Sequence, residues 1–124
     1  VLRGVGDLKA FDLGLSNTTT AADLLIIYEK LATGEIVNNE SSKKMISILK
    51  DQVYKDIIPK YLPEEVEVAH KTGWISGVRH DSGIVYVGNN EKYILVLLSK
   101  NLEDDIEGAD FLAKISLEIY NFLS

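Results

Sequence analysis

Hydrophobic and polar residues repeat along this chain with two different periods, and the change falls at Pro63. Before Pro63, apolar residues recur every three or four positions, which is the spacing of one face of an α-helix. After it, residues 66–75 alternate with a period of two, as in a half-buried β-strand. The pattern predicts a mainly helical part, residues 1–63, followed by a part, residues 64–124, that contains a sheet and a C-terminal helix.

The first part contains a well-delimited helix, predicted at residues 19 to 33. Thr20 and Asp23 have the spacing of a capping box, in which a hydroxyl accepts a hydrogen bond from a backbone N–H at the helix start. Gly34 can supply the left-handed residue that ends many helices, at little cost. The sequence therefore predicts both ends of this element.

A second helix is predicted at residues 41 to 53, with Ser41 or Ser42 as its N-cap. Its spacing places four apolar residues on one face: Met45, Ile48, Leu49 and Val53. A short segment from Lys55 to Tyr61 follows and contains Pro59.

Three strands and a long helix are predicted in the second part. The strands are Val66 to Ile75, Gly83 to Val87, and Tyr93 to Ser99. Gly and Asn residues at positions 88–90 tolerate positive φ, so an antiparallel hairpin is expected there. Because positions 93–98 are all apolar, the third strand is expected to be covered on both faces and to lie at the centre of its sheet. Acidic residues at 103–105 favour a helix start, and that last helix is expected to pack on the sheet, giving an α/β (α+β) fold.

The composition of the chain excludes several classes of partner and of chemistry. The chain has 124 residues and a formal charge of −6, so nucleic acid is an improbable partner. It contains no cysteine, which excludes thiol chemistry, and no apolar run of the ~18 residues that a transmembrane helix needs. His70 and His80 are ten residues apart, which is not a metal-ligand spacing, and His70 is expected on the opposite strand face from Lys71. No cofactor or metal is expected.

Lys71, Thr72 and Gly73 lie near the end of the first predicted strand. A K-T-G on a strand is one of the signature elements of penicillin-recognising serine hydrolases, the β-lactamases and penicillin-binding proteins. The chain resembles the C-terminal part of class A β-lactamases and their relatives in further segments, from an N-T-T-T stretch to the last strand: Asn17 to Leu25, Leu31 to Ile36, Ser42 to Leu49, Ile58 to Pro63, Val68 to Gly73, His80 to Val85, and Ile94 to Ser99.

The resemblance implies roles for six residues around the K-T-G. Lys71 would place positive charge near the nucleophile and the substrate carboxylate, and the Thr72 hydroxyl would bind that carboxylate. Gly73 would let the substrate backbone approach the strand edge. The backbone N–H of Trp74 would be a donor in the oxyanion hole. Arg79 or Ser82 would complete the pocket for the carboxylate.

Three family elements are not matched. The nucleophile belongs to an S-x-x-K motif at the start of a buried helix, and S-D-N or Y-x-N is a second signature. The sequence has neither S-D-N nor Y-x-N, and the S-x-x-K from Ser41 to Lys44 is interpreted as a helix cap with surface lysines. Class A enzymes also carry R-x-E-x-x-L-N, whose Glu is the deacylation base, whereas the corresponding stretch from Arg3 to Ala10 contains no Glu.

These comparisons of motifs predict that residues 1–124 are the C-terminal portion of a single β-lactamase-like domain. The complete protein would be a serine hydrolase acting on β-lactam or peptidoglycan-like amides, and this chain alone would be inactive. Its sheet would be completed by the N-terminal part of the same protein or by another chain. The alternative is a catalytically incomplete or penicillin-binding-like module with a binding or structural role. The family implies a periplasmic, secreted or cell-surface location.

Overall fold

The computed structural model describes residues 1–88 and 90–124. Asn89, part of the predicted hairpin turn, lies outside the described residues. The elements follow one another in the order α1 (Leu8–Asp12), α2 (Ala21–Thr33), α3 (Asn39–Lys50), β1 (Glu67–Ile75), β2 (Val78–Gly88), β3 (Glu91–Leu98) and α4 (Asp105–Leu123). Helices followed by an antiparallel sheet and a terminal helix confirm the predicted fold class.

Helix α2 begins and ends as its sequence predicts. The Thr20 hydroxyl accepts a hydrogen bond from the Asp23 N–H at 3.1 Å. Gly34 follows the helix with φ of 81°, which is the left-handed conformation that a side chain disfavours.

Helix α3 differs from its prediction at both ends. Its N-cap is Asn38, whose side-chain oxygen accepts from the Ser41 N–H at 2.8 Å, so neither Ser41 nor Ser42 is the cap. Ser42 is instead fully buried, and its hydroxyl bonds the Ile36 N–H at 3.1 Å and the Ile36 carbonyl at 3.0 Å. The helix ends at Lys50, so Val53 lies beyond it and is 80% exposed, and Ile48 is also exposed. The residues packed from this helix are Met45, Ile46 and Leu49.

The three strands form one antiparallel sheet in the order β1-β2-β3. Strand β2 begins at Val78, five residues before its predicted start, because the polar residues 79–82 pair with β1 although they lack apolar alternation. Strand β3 borders only β2, so the prediction that it is central in the sheet is wrong for the described chain. Its Leu95 and Leu97 are nevertheless buried, because α4 covers one face.

Each face of the sheet carries its own hydrophobic cluster. On one face, α2 and α3 pack over β1, β2 and β3, and the buried residues are Tyr28, Leu31, Ala69 and Ile84. On the other face, α4 packs with the segment between α3 and β1, and the buried residues include Ile57, Ile58, Val68, Val85, Leu95, Ala109 and Leu112. Alternate residues of each strand therefore face opposite helical layers.

A chain of buried hydrogen bonds joins α4, the segment between α3 and β1, and the sheet. The Ser116 hydroxyl donates to the Ile58 carbonyl at 2.9 Å. The Ile58 N–H donates to an Asp81 carboxylate oxygen at 3.0 Å. His70 Nδ1 lies 2.9 Å from the other Asp81 oxygen, which fixes β1 against β2 next to the K-T-G.

Among the described residues, none of the helices combines the length and the hydrophobicity that a membrane-spanning segment requires.

Substitution of Gly83 tests this packing directly, because His70 lies opposite it on β1. A Cβ at Gly83 would lie 2.4 Å from the Ala69 carbonyl oxygen and 2.6 Å from His70 Cβ. We expect Gly83→Ala to lower the free energy of unfolding by about 2 kcal/mol or more, since backbone atoms must move to relieve the overlap. Urea denaturation of the protein measures this change.

Gly4→Ala is the control, because a Cβ there meets nothing within 4 Å. Equal stability of the two variants would contradict the close packing of His70 on Gly83.

Candidate active site

The K-T-G lies on a strand edge that is open in the described chain. Strand β1 pairs with β2 along residues 67–75, and within residues 1–88 and 90–124 no strand pairs with its other side. An unpaired edge offers backbone N–H and C=O groups that an extended ligand can bind as an added strand. Lys71, Thr72 and Gly73 therefore stand where such a ligand would lie.

The side chains of the K-T-G alternate between the two faces of the sheet. Ala69 packs with the α2 cluster and Val68 with the α4 cluster. Alternation then places Lys71 on the α2 face and Thr72 on the α4 face. His70 belongs with Thr72, which agrees with the expectation that it points away from Lys71.

Lys71 is exposed, and its ammonium group donates to the Thr72 carbonyl. Its partner across the strands is Ser82. The Ser82 hydroxyl is buried and donates to the Tyr28 hydroxyl at 3.2 Å, while Tyr28 donates to the Ser82 carbonyl at 2.7 Å. Burial raises the pKa of Tyr28, so this hydroxyl keeps its proton at neutral pH. Ser82 thus holds α2 on the sheet and lies on the opposite face from Arg79.

Thr72 and Arg79 are brought together on the α4 face. Thr72 pairs with Asp81, and Trp74 pairs with Arg79, so Thr72 and Arg79 are diagonal neighbours across β1 and β2. Thr72 Oγ1 and Arg79 Nε are both buried, and neither has a hydrogen-bond partner among the described residues. Leaving a buried polar group unpaired costs about 1–3 kcal/mol, so a polar group that bonded these two donors would be stabilising.

Two residues that could not be identified from the sequence, Tyr54 and Asp56, lie against Trp74 and Arg79. Trp74 is 54% exposed, and its ring packs edge-on against Tyr54 with centroids 5.1 Å apart. The Arg79 guanidinium lies 5.7 Å from the Trp74 ring centroid and forms an ion pair with Asp56. Tyr54 and Asp56 belong to an irregular segment after α3, and only the folded chain shows that this segment lies against the end of β1.

The two histidines occupy different environments. His70 is buried against Asp81, whose two oxygens lie 2.9 and 3.0 Å from its Nδ1. His80 is on the other face, where its Nδ1 accepts from the Ser99 N–H at 3.1 Å. In the described part of the chain, no group of three or more His, Cys, Asp or Glu side chains is arranged to hold a metal ion.

A closed loop precedes α2. The Asn17 side chain accepts from the Leu2 N–H at 2.7 Å and donates to the Arg3 carbonyl at 2.9 Å, which brings the two ends of the loop together. The loop contains α1 and no Glu, and Val5 in it is 89% exposed.

Comparisons with known proteins identify the family to which the chain is similar. A sequence model described as the beta-lactamase enzyme family matches residues 1–123. The chain is 29% identical over 100 residues to the beta-lactamase BRO-1 of Moraxella catarrhalis, covering 75% of this chain and 32% of that protein.

Solved structures share the fold. PBP-A is 29% identical with a TM-score of 0.81, covering 90% of this chain and 42% of PBP-A. A class A beta-lactamase from Bacteroides cellulosilyticus is 25% identical with a TM-score of 0.76, covering 97% and 47%. The chain thus spans about a third of the length of the curated relative and less than half of these structures. Because the family model matches nearly every residue, the chain belongs to the beta-lactamase enzyme family.

Proposed function

We propose that the protein containing this chain is a serine hydrolase that is acylated by β-lactams or peptidoglycan-like amides. This chain supplies the K-T-G side of its site, and the serine nucleophile comes from the remainder of the protein. The observation that carries the proposal is a pair of atoms, Thr72 Oγ1 and Arg79 Nε, that have no hydrogen-bond partner within residues 1–88 and 90–124 and lie beside the edge of β1 that is open in the same residues.

A carboxylate fits this pair because both atoms are hydrogen-bond donors and one belongs to a cation. Hydroxyl and guanidinium groups bind carboxylates through strong, charge-assisted hydrogen bonds. Penicillins and the C-terminal ends of peptidoglycan-like peptides carry a carboxylate close to the amide that reacts. The edge of β1 would hold the backbone of such a substrate, and Thr72 and Arg79 would bind its carboxylate.

The chemistry requires stabilisation of negative charge at the reacting carbonyl. The serine hydroxyl loses its proton as its oxygen forms a bond to the carbonyl carbon, the C–N bond of the amide breaks, and in the net reaction that proton is transferred to the leaving nitrogen. The carbonyl oxygen bears negative charge at the intermediate stage, and the Trp74 backbone N–H would be one of its donors. The Lys71 ammonium, on the α2 face of the same edge, would lower the cost of that charge further.

The loop at the start of the chain bears on the fate of the acyl-enzyme. In R-x-E of class A enzymes the Glu acts in deacylation, and the residue two after Arg3 is Val5. Valine cannot act as a base, so we infer a long-lived acyl-enzyme and a penicillin-binding rather than a rapidly hydrolysing protein. A variant of PBP-A, 29% identical to this chain, was solved as an acyl-enzyme complex with penicillin G.

The remainder of the protein would also complete the sheet beside β3. That strand has one free edge in the described chain although its side chains are mostly apolar, and such edges are normally paired or covered. If the complete protein lacks a nucleophile, the same site would bind its ligand without acylation and act as a recognition module.

Lys71→Ala in the complete protein tests the assignment of the site. We expect the rate of acylation by penicillin G to fall by about 10²-fold, because a cation at the developing charge is removed. Mass spectrometry of the intact protein measures the adduct over time.

Ser41→Ala is the control, since Ser41 and Lys44 satisfy S-x-x-K but Ser41 lies in the first turn of α3. Its acylation rate should be unchanged, and loss of the adduct in this variant would place the nucleophile at Ser41 instead.

Val5→Glu tests the account of the loop. Because Val5 is exposed, the substitution should be tolerated, and the new carboxylate should shorten the lifetime of the penicillin adduct by about tenfold or more. Val5→Gln is the control, because a glutamine side chain has the size of glutamate but cannot act as a base. This variant should leave the lifetime of the penicillin adduct unchanged. Equal lifetimes of the adducts in the Glu and Gln variants would contradict a role for this position in deacylation.

A further inference from the structure

Arg79 already has an anionic partner inside the chain. Its guanidinium forms an ion pair through Nη2 with the Asp56 carboxylate, and the two side chains are 16% and 45% exposed, respectively. Arg79 Nε remains buried and unpartnered within the described residues. The cation is therefore neutralised on one side and has a free donor on the other.

Trp74 and Asp56 both contact Arg79, but they affect its charge differently. The Trp74 ring, 5.7 Å from the guanidinium carbon, helps to hold the guanidinium in place without changing the net charge. Asp56 both orients Arg79 and cancels its charge. A substrate carboxylate that approaches Thr72 and Arg79 would consequently meet an ion pair instead of an isolated cation, and it would be repelled by the Asp56 carboxylate.

The backbone around Asp56 is anchored by buried neighbours, while its side chain is held, among the described residues, by Arg79 alone and is partly exposed to solvent. Ile57 and Ile58, the next two residues, are buried, and the Ile58 N–H is bound by Asp81. The Asp56 side chain retains contact with solvent, so its carboxylate can turn toward water without moving the segment. Tyr54 packs on Trp74 and keeps the same segment close to the end of β1.

We propose that Asp56 is a specificity-determining residue: its carboxylate is an internal competitor for Arg79 that weakens capture of carboxylate-bearing substrates. The inference rests on the proposed function, because it takes the Thr72 and Arg79 pair as the carboxylate site. Substrates that carry a cationic group near their carboxylate are disfavoured least, since that group offsets the repulsion from Asp56.

Asp56→Asn separates charge from orientation, because the amide oxygen still accepts from Arg79 while the negative charge is gone. In the complete protein at low ionic strength, we expect the second-order rate constant for acylation by penicillin G to rise roughly three- to tenfold. The rate with the uncharged methyl ester of penicillin G should not change. Glu65→Gln is the matched control, because it is exposed, lies on the same segment and removes the same net charge.

The comparison between acid and ester decides the outcome. A slower reaction of the acid in Asp56→Asn would overturn the proposal and show that the Asp56 charge helps to position Arg79. An equal rise of the acylation rate constant for acid and ester would also overturn the proposal, because the ester has no carboxylate to be repelled. An equal rise in Glu65→Gln would overturn it as well, because that residue is remote from the carboxylate site.

A titration with acetate distinguishes failure of this inference from failure of the proposed function. The NMR signal of Arg79 Nε–H reports carboxylate binding whether or not the protein is acylated. If Asp56→Asn lowers the acetate concentration at half-saturation, competition at Arg79 is supported even in a protein that forms no penicillin adduct. If the half-saturation is unchanged, the competition is refuted even in a protein that is acylated.

Discussion

The buried carboxylate of Asp81 is the interaction on which the rest of this structure depends. It lies on the central strand and binds two groups that belong to different elements, His70 of β1 and the Ile58 N–H of the segment after α3. The Ile58 carbonyl in turn binds Ser116 of α4. One carboxylate thus joins the sheet to the connecting segment directly and to the terminal helix through Ile58, and removing it would leave buried donors without acceptors.

This network also positions the site. His70 precedes Lys71, and Thr72 pairs directly with Asp81, so the K-T-G edge is held by groups that face away from Lys71. The same network holds residues 54–58 against the end of β1, where Asp56 and Tyr54 contact Arg79 and Trp74. Residues that bind one another for stability therefore place the residues that would bind a substrate.

Much of the fold could be predicted because it follows from local rules. The Thr20 cap and the Gly34 terminus of α2 depend on residues within one turn, and the alternation in β1 depends on a period of two. The start of β2 could not be predicted, because residues 79–82 are polar and their burial depends on partners far along the chain. The role of Ser42 could not be predicted for the same reason. Its buried hydroxyl bonds the Ile36 backbone and Asn38 is the N-cap, whereas capping preferences favour a serine at the cap.

The site was predictable in the same limited sense. The K-T-G indicates the strand edge. The placement of Thr72 diagonally to Arg79, the hydrogen bond between Ser82 and Tyr28, and the ion pair of Arg79 with Asp56 all join residues that are distant in the sequence. The central claim is that the edge of β1 binds a substrate carboxylate. A crystal structure of the complete protein acylated by penicillin G tests it most directly. The account predicts the carboxylate within about 3.2 Å of both Thr72 Oγ1 and the Arg79 guanidinium. An adduct whose carboxylate lies away from β1 would contradict it.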